Sequence, residues 1–323
     1  MTEQTPITYA SAGVDVEAGD RAVELMKASV RKAQRPEVLG GLGGFAGMFD
    51  ASALVGMTRP VLATSTDGVG TKVAIAQALD RHDTIGFDLV GMVVDDIVVC
   101  GAEPLFMTDY IATGVVEYAD VLGPQRVVPG DVVLALGSSG LHSNGYSLVR
   151  RVVDAAGWTL DREVAEFGRT LGEELLTPTR VYSADLLHLI RTDGLDVHAL
   201  SHVTGGGLAA NLARVLPEGV FARLDRSTWT PPPVFTTIGE LGRVPQADLE
   251  RTLNMGIGFV AMLPAAHADL AIRTLEARGI PSWVLGEVTA LDGAPIAEGV
   301  EVVHGAKGVE GGAVQVVGEH PLA

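Results

Sequence analysis

Residues 64–72 read "TSTDGVGTK" and follow the apolar run Val61, Leu62, Ala63. The alternation before Asp67 is that of a strand over residues 60–66, and the pattern after Lys72 (Val73, Ala74, Ala76, Leu79) is that of a helix over 71–81. An aspartate at a strand end, two glycines and a lysine at a helix start admit two readings. One is a plain turn. The other is a corner for a metal-bearing phosphate, with Gly68 letting backbone approach a ligand and Lys72 near a helix N-terminus that already favours anions. The glycine spacing does not fit a Walker A loop.

The segments on either side favour the second reading. A helix over 85–100 is apolar on most sides, yet carries Asp95 and Asp96 side by side. A carboxylate buried without a partner costs several kcal/mol. Consecutive helix positions point about 100° apart, so one can face solvent while the other needs a cation. Asp109 sits likewise in the apolar run "PLFMTDYIAT", residues 104–113, which reads as a strand. With Asp67, these acids suit the oxygen-rich, partly hydrated coordination of Mg²⁺. N-caps and ordinary ion pairs are the competing explanation.

Upstream, residues 15–35 have helical periodicity stopped by Pro36, and "GGLGGFAG" (40–47) follows. Gly41, Gly43 and Ala46, with Gly44 between the last two, nominally fit a dinucleotide fingerprint, but that needs a strand before it and a helix after it, and neither is present. A glycine-rich flap over phosphates, or a surface loop, remains.

Beyond Pro129-Gly130-Asp131 strands and helices alternate, which predicts a second, α/β layer with helices packed on a sheet. Strands are expected at 132–137, 197–203, 257–263 and 283–288, with helices from Ser147, over 179–192, 208–215 and 266–278. The boundary is set near 128, giving domains 1–128 and 129–323, and residues after about 305 read as a loose tail. Two loops at strand ends draw notice, because ligands of open α/β sheets bind there. The first carries His142, Ser143 and Asn144. The second carries Thr204, Gly205 and Gly206, with His202 a weaker candidate two residues before it. Residues 254–258, "NMGIG", read as a structural turn.

Composition bounds the function. A chain that is 47% hydrophobic and 20% charged folds around a core. Lys plus Arg number 23 against 40 Asp plus Glu, a net charge of −17, which disfavours nucleic acid and anionic membranes as partners. The single cysteine, Cys100, permits no intrachain disulfide, and no H-E-x-x-H spacing supports zinc. No basic and apolar leader and no membrane-length apolar run is evident, so a cytoplasmic location is expected. Without a G-x-S-x-G elbow, hydrolase chemistry has little support.

"TSTDGVGTK", "RHDTIGFDLV", "GAEPLF", "DYIATG", "LGSSGLHSNGYSLVR", "HVTGGG" and "LNMGIG" occur in this order. Together they resemble the aminoimidazole ribonucleotide synthetases, or phosphoribosylformylglycinamidine cyclo-ligases, from about Ile7 to Glu287. The resemblance implies that family's two-domain fold and an ATP-dependent ring closure of formylglycinamidine ribonucleotide in purine synthesis. It implies that Asp67 and Asp96 hold Mg²⁺–ATP, with Asp109 and Gly68 nearby. Lys72 would assist the phosphates and residues 40–47 would close over them. His142, Ser143, Asn144 and residues 204–207 would hold the substrate, with Lys72, His142 and Asn144 closest to the chemistry. It further implies a homodimer joined through the N-terminal sheets. Selenophosphate synthetases and thiamine-phosphate kinases share the superfamily and stay open as alternatives, as does a catalytically impaired nucleotide-binding homologue. Cys100, read as lying in a buried helix, argues against the first, whose reactive residue lies in an N-terminal loop.

The chain departs from the family pattern after Gly114. Where the family carries a further helix, a strand and an acidic glycine-rich motif, Gly114 runs straight into Val115, a difference of roughly 50 residues. The expectation is a truncated N-terminal sheet, with 105–116 as one overlong strand or a strained join and backbone left unpaired beside it.

Overall fold

The computed structural model describes residues 16–39, 48–108, 111–305 and 311–321. They fall into two compact units, divided between Thr58 and Arg59. The first holds α1 (Val16–Ala33) and the short antiparallel pair β1 (Val38–Leu39) and β2 (Met48–Phe49). These strands flank the glycine segment, so Gly41, Gly43 and Gly44 lie outside the described residues.

The second unit begins with β3 (Pro60–Thr66), the loop from Asp67, α2 (Val73–Leu79) and α3 (Ile85–Val98). Then come β4 (Glu103–Thr108) and β5 (Ile111–Glu117). The expected overlong strand is instead a hairpin. Thr108 pairs with Ile111, Met107 with Ala112 and Phe106 with Thr113, and β5 pairs on its other side along the whole of β3. The order β3-β5-β4 thus makes a three-stranded antiparallel sheet in which the central strand has both neighbours. Among the described residues no unpaired strand lies beside β5. Asp109, read as lying within a strand, falls outside the described residues.

One face of this sheet packs on α3. Val61, Ala63, Met107, Ala112 and Val116 meet Val93 and Ile97 in one apolar cluster. Gly114 is required there: a Cβ at this position would overlap the Ile97 side chain and lie 2.9 Å from the Glu103 carbonyl oxygen. The opposite face carries Leu62, which is 67% exposed, and Phe106.

The rest of the chain builds a seven-stranded sheet. In order come β6 (Asp131–Gly137), α4 (Tyr146–Ala155), the pair β7 (Glu163–Val164) and β8 (Arg169–Thr170), α5 (Leu171–Leu175), α6 (Ser183–Ile190), β9 (Ala199–His202) and α7 (Gly207–Ala213). They are followed by β10 (Val220–Asp225), α8 (Pro233–Gly242), α9 (Gln246–Thr252), β11 (Ile257–Pro264), α10 (Ala268–Glu276), β12 (Ser282–Ala290), β13 (Val303–His304) and β14 (Ala313–Val317). The strand order is β13-β14-β10-β12-β6-β11-β9. Its central strands are apolar on both faces, as a doubly covered sheet requires. Leu134, Leu136, Phe259 and Ala261 pack with Leu186 and Leu189 of α6 and Leu275 of α10. Val133, Ala135, Val260 and Met262 turn to the other side, against Leu208 and Leu212 of α7.

The segment after 305 is not a loose tail throughout. Residues 306–310 lie outside the described residues, but β14 runs parallel to β10, with Ala313 and Val314 fully buried. Strand β10 and helices α5, α8 and α9 were not anticipated from periodicity. α5 and α9 are short, but α8 carries Val234, Phe235, Ile238 and Leu241 at regular helical spacing and was legible in principle.

Candidate active site

β6 and β9 each pair antiparallel with β11, so they run in the same direction and their carboxyl ends lie on the same side. Gly137 stands opposite Ile257, and His202 opposite Phe259. The two loops singled out above therefore leave the sheet side by side. A Cβ on Gly205 would lie 3.6 Å from Asn144 Oδ1.

Helix α3 closes the site from the other sheet. Asn144 Nδ2 lies 3.7 Å from Met92 Sδ, and His202 Nδ1 lies 2.9 Å from Asp96 Oδ1. Met92 and Asp96 are four positions apart, so they share one face of α3. The β3 end approaches the same face, with Ser65 Oγ donating to Asp96 Oδ2 at 3.4 Å. Asp67 follows two residues later, within about 7 Å along the chain. The loop beyond it runs to the start of α4, where Thr71 Oγ1 lies 3.3 Å from Ser147 Oγ.

The carboxylates expected to hold a cation differ in their surroundings. Asp95 is fully buried and is satisfied by backbone, not by a cation: it accepts from Tyr182 N at 2.9 and 3.0 Å and from Ser183 N at 2.9 Å. Burial pushes its carboxyl up to about 7, against the pull of His202 and of those N–H groups. Asp96 has a 40% exposed side chain. Asp67 is exposed and accepts only from Gly68 N, at 2.7 Å, among the described residues. Among the described residues, neither Asp67 nor Asp96 pairs with Lys or Arg. Two carboxylates with oxygen positions left open fit a Mg²⁺ ion, which keeps several waters and takes one or two carboxylates beside phosphate oxygens. Among the described residues no group of three or more His, Cys, Asp or Glu side chains converges as a closed metal cage.

Three expected ligand residues turn inward. Lys72 is fully buried, with Nζ 2.7 Å from Asp88 Oδ1 and 2.6 Å from the Thr177 carbonyl oxygen. Asp88 Oδ1 also accepts from Thr179 N at 2.8 Å and Thr179 Oγ1 at 2.6 Å. Lys72 thus fastens α3 to residues 177–179 and does not reach toward a phosphate. His142 is buried in left-handed backbone (φ 58°), and its Nε2 accepts from Ser139 N at 3.2 Å. Burial first, then the positive charges of His202, Lys72 and Arg180, holds its imidazole well below the ordinary value. Ser143 is buried against Thr179, with the hydroxyls 3.1 Å apart. Asn144, the next residue of this loop, stays half-exposed instead.

The "NMGIG" turn shapes this loop. Asn254 Nδ2 donates to the Gly140 carbonyl oxygen at 2.9 Å, while its Oδ1 accepts from Gly256 N at 2.8 Å. A Cβ on Gly258 would overlap the Tyr182 hydroxyl and lie 2.7 Å from His142 Cε1. In the other loop Thr204 and Gly206 are half-exposed and Gly205 is exposed, while Gly207 (φ 75°) lies where a Cβ would overlap the Glu250 carbonyl oxygen. Cys100 lies in the turn after α3, half-buried, with Sγ 3.2 Å from the Ile97 carbonyl oxygen. The pairing of His202 with Asp96 was not legible, because nothing in local spacing links positions 96 and 202.

The arrangement of helices and sheets is one seen in solved proteins. The fold is similar to a thiamine-monophosphate kinase from Stenotrophomonas maltophilia K279a (TM-score 0.55, 18% identity, covering 91% of this chain and 95% of that one). It is similar also to the hydrogenase maturation protein HypE in complex with ATP (TM-score 0.52, 17% identity, 93% and 96% covered). A further match is HypE from E. coli (TM-score 0.52, 14% identity, 84% and 91% covered). At the level of sequence families, residues 49–128 match the AIR synthase related protein N-terminal domain and residues 128–296 its C-terminal domain. The chain belongs to the AIR synthase related family, and its mixed α/β fold is that family's.

Proposed function

We propose that this protein is an ATP-dependent cyclo-ligase that closes formylglycinamidine ribonucleotide to aminoimidazole ribonucleotide. The observation that carries the reading is the meeting of Asn144, residues 204–206 and Asp96 around one face of α3. Asn144 and residues 204–206 lie within the motifs that resemble the cyclo-ligases, Asp96 lies on the helix between two of those motifs, and an ATP complex within the same fold supports nucleotide use.

In this reading Asp67 and Asp96 hold Mg²⁺ and, through it, the phosphates of ATP. ATP supplies the phosphoryl group that turns the formamide oxygen of the substrate into a leaving group, and ADP and phosphate are released. The chain's own work is positioning and charge neutralisation. Asn144 offers an amide donor and acceptor to the ribonucleotide. The exposed backbone of Gly205 and the Thr204 hydroxyl offer hydrogen bonds to its phosphate. Lys72, His142 and Ser143 act beneath the site: they hold α3 and the 138–145 loop in place. The resemblance also supports a homodimer joined through the outer face of the three-stranded sheet.

Purified protein given formylglycinamidine ribonucleotide, ATP and Mg²⁺ should yield aminoimidazole ribonucleotide with one ADP per product. ATP consumed in phosphorylating another small molecule, or bound with no product formed, would overturn the assignment.

A further inference from the structure

His202 is 3% exposed at its side chain, and its ring stacks on Phe259 at 5.0 Å between centroids with 14° between planes. Both residues sit on strands of the seven-stranded sheet and stand opposite one another. The imidazole therefore has little freedom to turn. Its Nδ1 lies 2.9 Å from Asp96 Oδ1. An ionised carboxylate only accepts, so Nδ1 carries the proton and donates it. Among the described residues Asp96 Oδ2 has a single, longer contact, the 3.4 Å hydrogen bond from Ser65 Oγ. One oxygen is thus held by a rigid donor and the other is left for a ligand.

We infer that His202 is the positioning residue of the nucleotide-metal site, fixing Asp96 so that Oδ2 is presented to Mg²⁺. The inference rests on the reading of Asp67 and Asp96 as carriers of Mg²⁺–ATP. An exposed aspartate on a helix samples several rotamers, and ordering it must be offset from the binding energy of the ion. A histidine locked by a stacked ring removes that freedom before the ion arrives. This inverts the familiar arrangement in which a carboxylate orients a metal-bound histidine. Here the carboxylate is the ligand and the histidine stands behind it. The arrangement also gives a physical reason for a histidine directly before the glycine loop, since the same β9 end places both.

The test follows the Mg²⁺ dependence of ATP binding by calorimetry in the parent, His202→Ala and His202→Asn. The asparagine amide nitrogen occupies nearly the place of Nδ1 and keeps the donor. Removing an outer-shell partner typically weakens metal binding about 10- to 100-fold. His202→Ala should therefore raise the half-saturating Mg²⁺ concentration by about tenfold or more, and His202→Asn should recover most of that loss. The melting temperature of each metal-free variant reports folding separately. A parent that binds Mg²⁺–ATP beside a folded His202→Ala with the same Mg²⁺ dependence would overturn this inference alone. If His202→Ala does not fold, a His202→Asn variant weakened as much as Asp96→Asn would overturn it. A parent that binds no nucleotide would overturn the underlying reading as well.

Discussion

His142 shows how a residue can be found by motif and misread in role. Its place in a loop at a strand end marks it as a substrate contact, yet the ring is buried and bonded to its own loop. The sign of its effect on stability follows from its lowered pKa. The unfolded chain binds a proton near the ordinary histidine value of about 6.5, while the folded chain resists it. Stability from this group is therefore present above about pH 6.5 and is lost as pH falls, by up to about 1.4 kcal/mol per pH unit. His142→Asn suits the left-handed backbone, which asparagine tolerates, and lacks the titrating ring. Urea unfolding at pH 5, 6 and 7 should show a shallower acid loss for the variant than for the parent. Parallel pH profiles would contradict the assignment. Lys72 carries the same lesson: its partners come from α3 and from Thr177, far along the chain, and no reading of residues 64–72 alone shows them. Asp96 stood out in the sequence as an acid among apolar neighbours, as Asp95 did, and Asp67 as an acid at a strand end before glycines; the role of Asp67 and Asp96 as metal carriers is proposed.

Among the elements, long and regularly patterned ones were legible. β3, α3, β6 and β11 stand within two residues of their expected places, since continuous or alternating apolar runs specify them. The β4–β5 hairpin was not. Nothing at positions 109–110 matches the Asn-Gly or Asp-Gly signal of a two-residue turn, and both flanks read as strand. β14 was hidden by the glycines before it. The sheet that the hairpin completes offers an outer face with Leu62 and Phe106 exposed. The proposed homodimer would bury that face, and a lysine at its centre would set like charges against each other across a two-fold axis. Sedimentation should find the parent dimeric and Leu62→Lys shifted toward monomer. A monomeric parent, or a variant as dimeric as the parent, would contradict the proposed interface.

Across the whole molecule, the second unit brings a small sheet and a large one together through α3. That helix packs its apolar side on the small sheet, ties Asp88 and Asp95 to residues 177–183, and presents Asp96 beside the carboxyl ends of the large sheet. Its acids thus divide into two that hold the structure and one, the exposed Asp96, that the proposed function assigns to a ligand, a division that depends on three-dimensional neighbours and so is invisible to composition. The most direct measurement is calorimetric titration of ATP, with and without Mg²⁺, into the parent and into Asp67→Asn and Asp96→Asn. The account predicts Mg²⁺-dependent binding by the parent and a loss of about tenfold or more in each variant, equivalent to about 1.4 kcal/mol. Variants that bind ATP as tightly as the parent, with the same dependence on Mg²⁺, would contradict it.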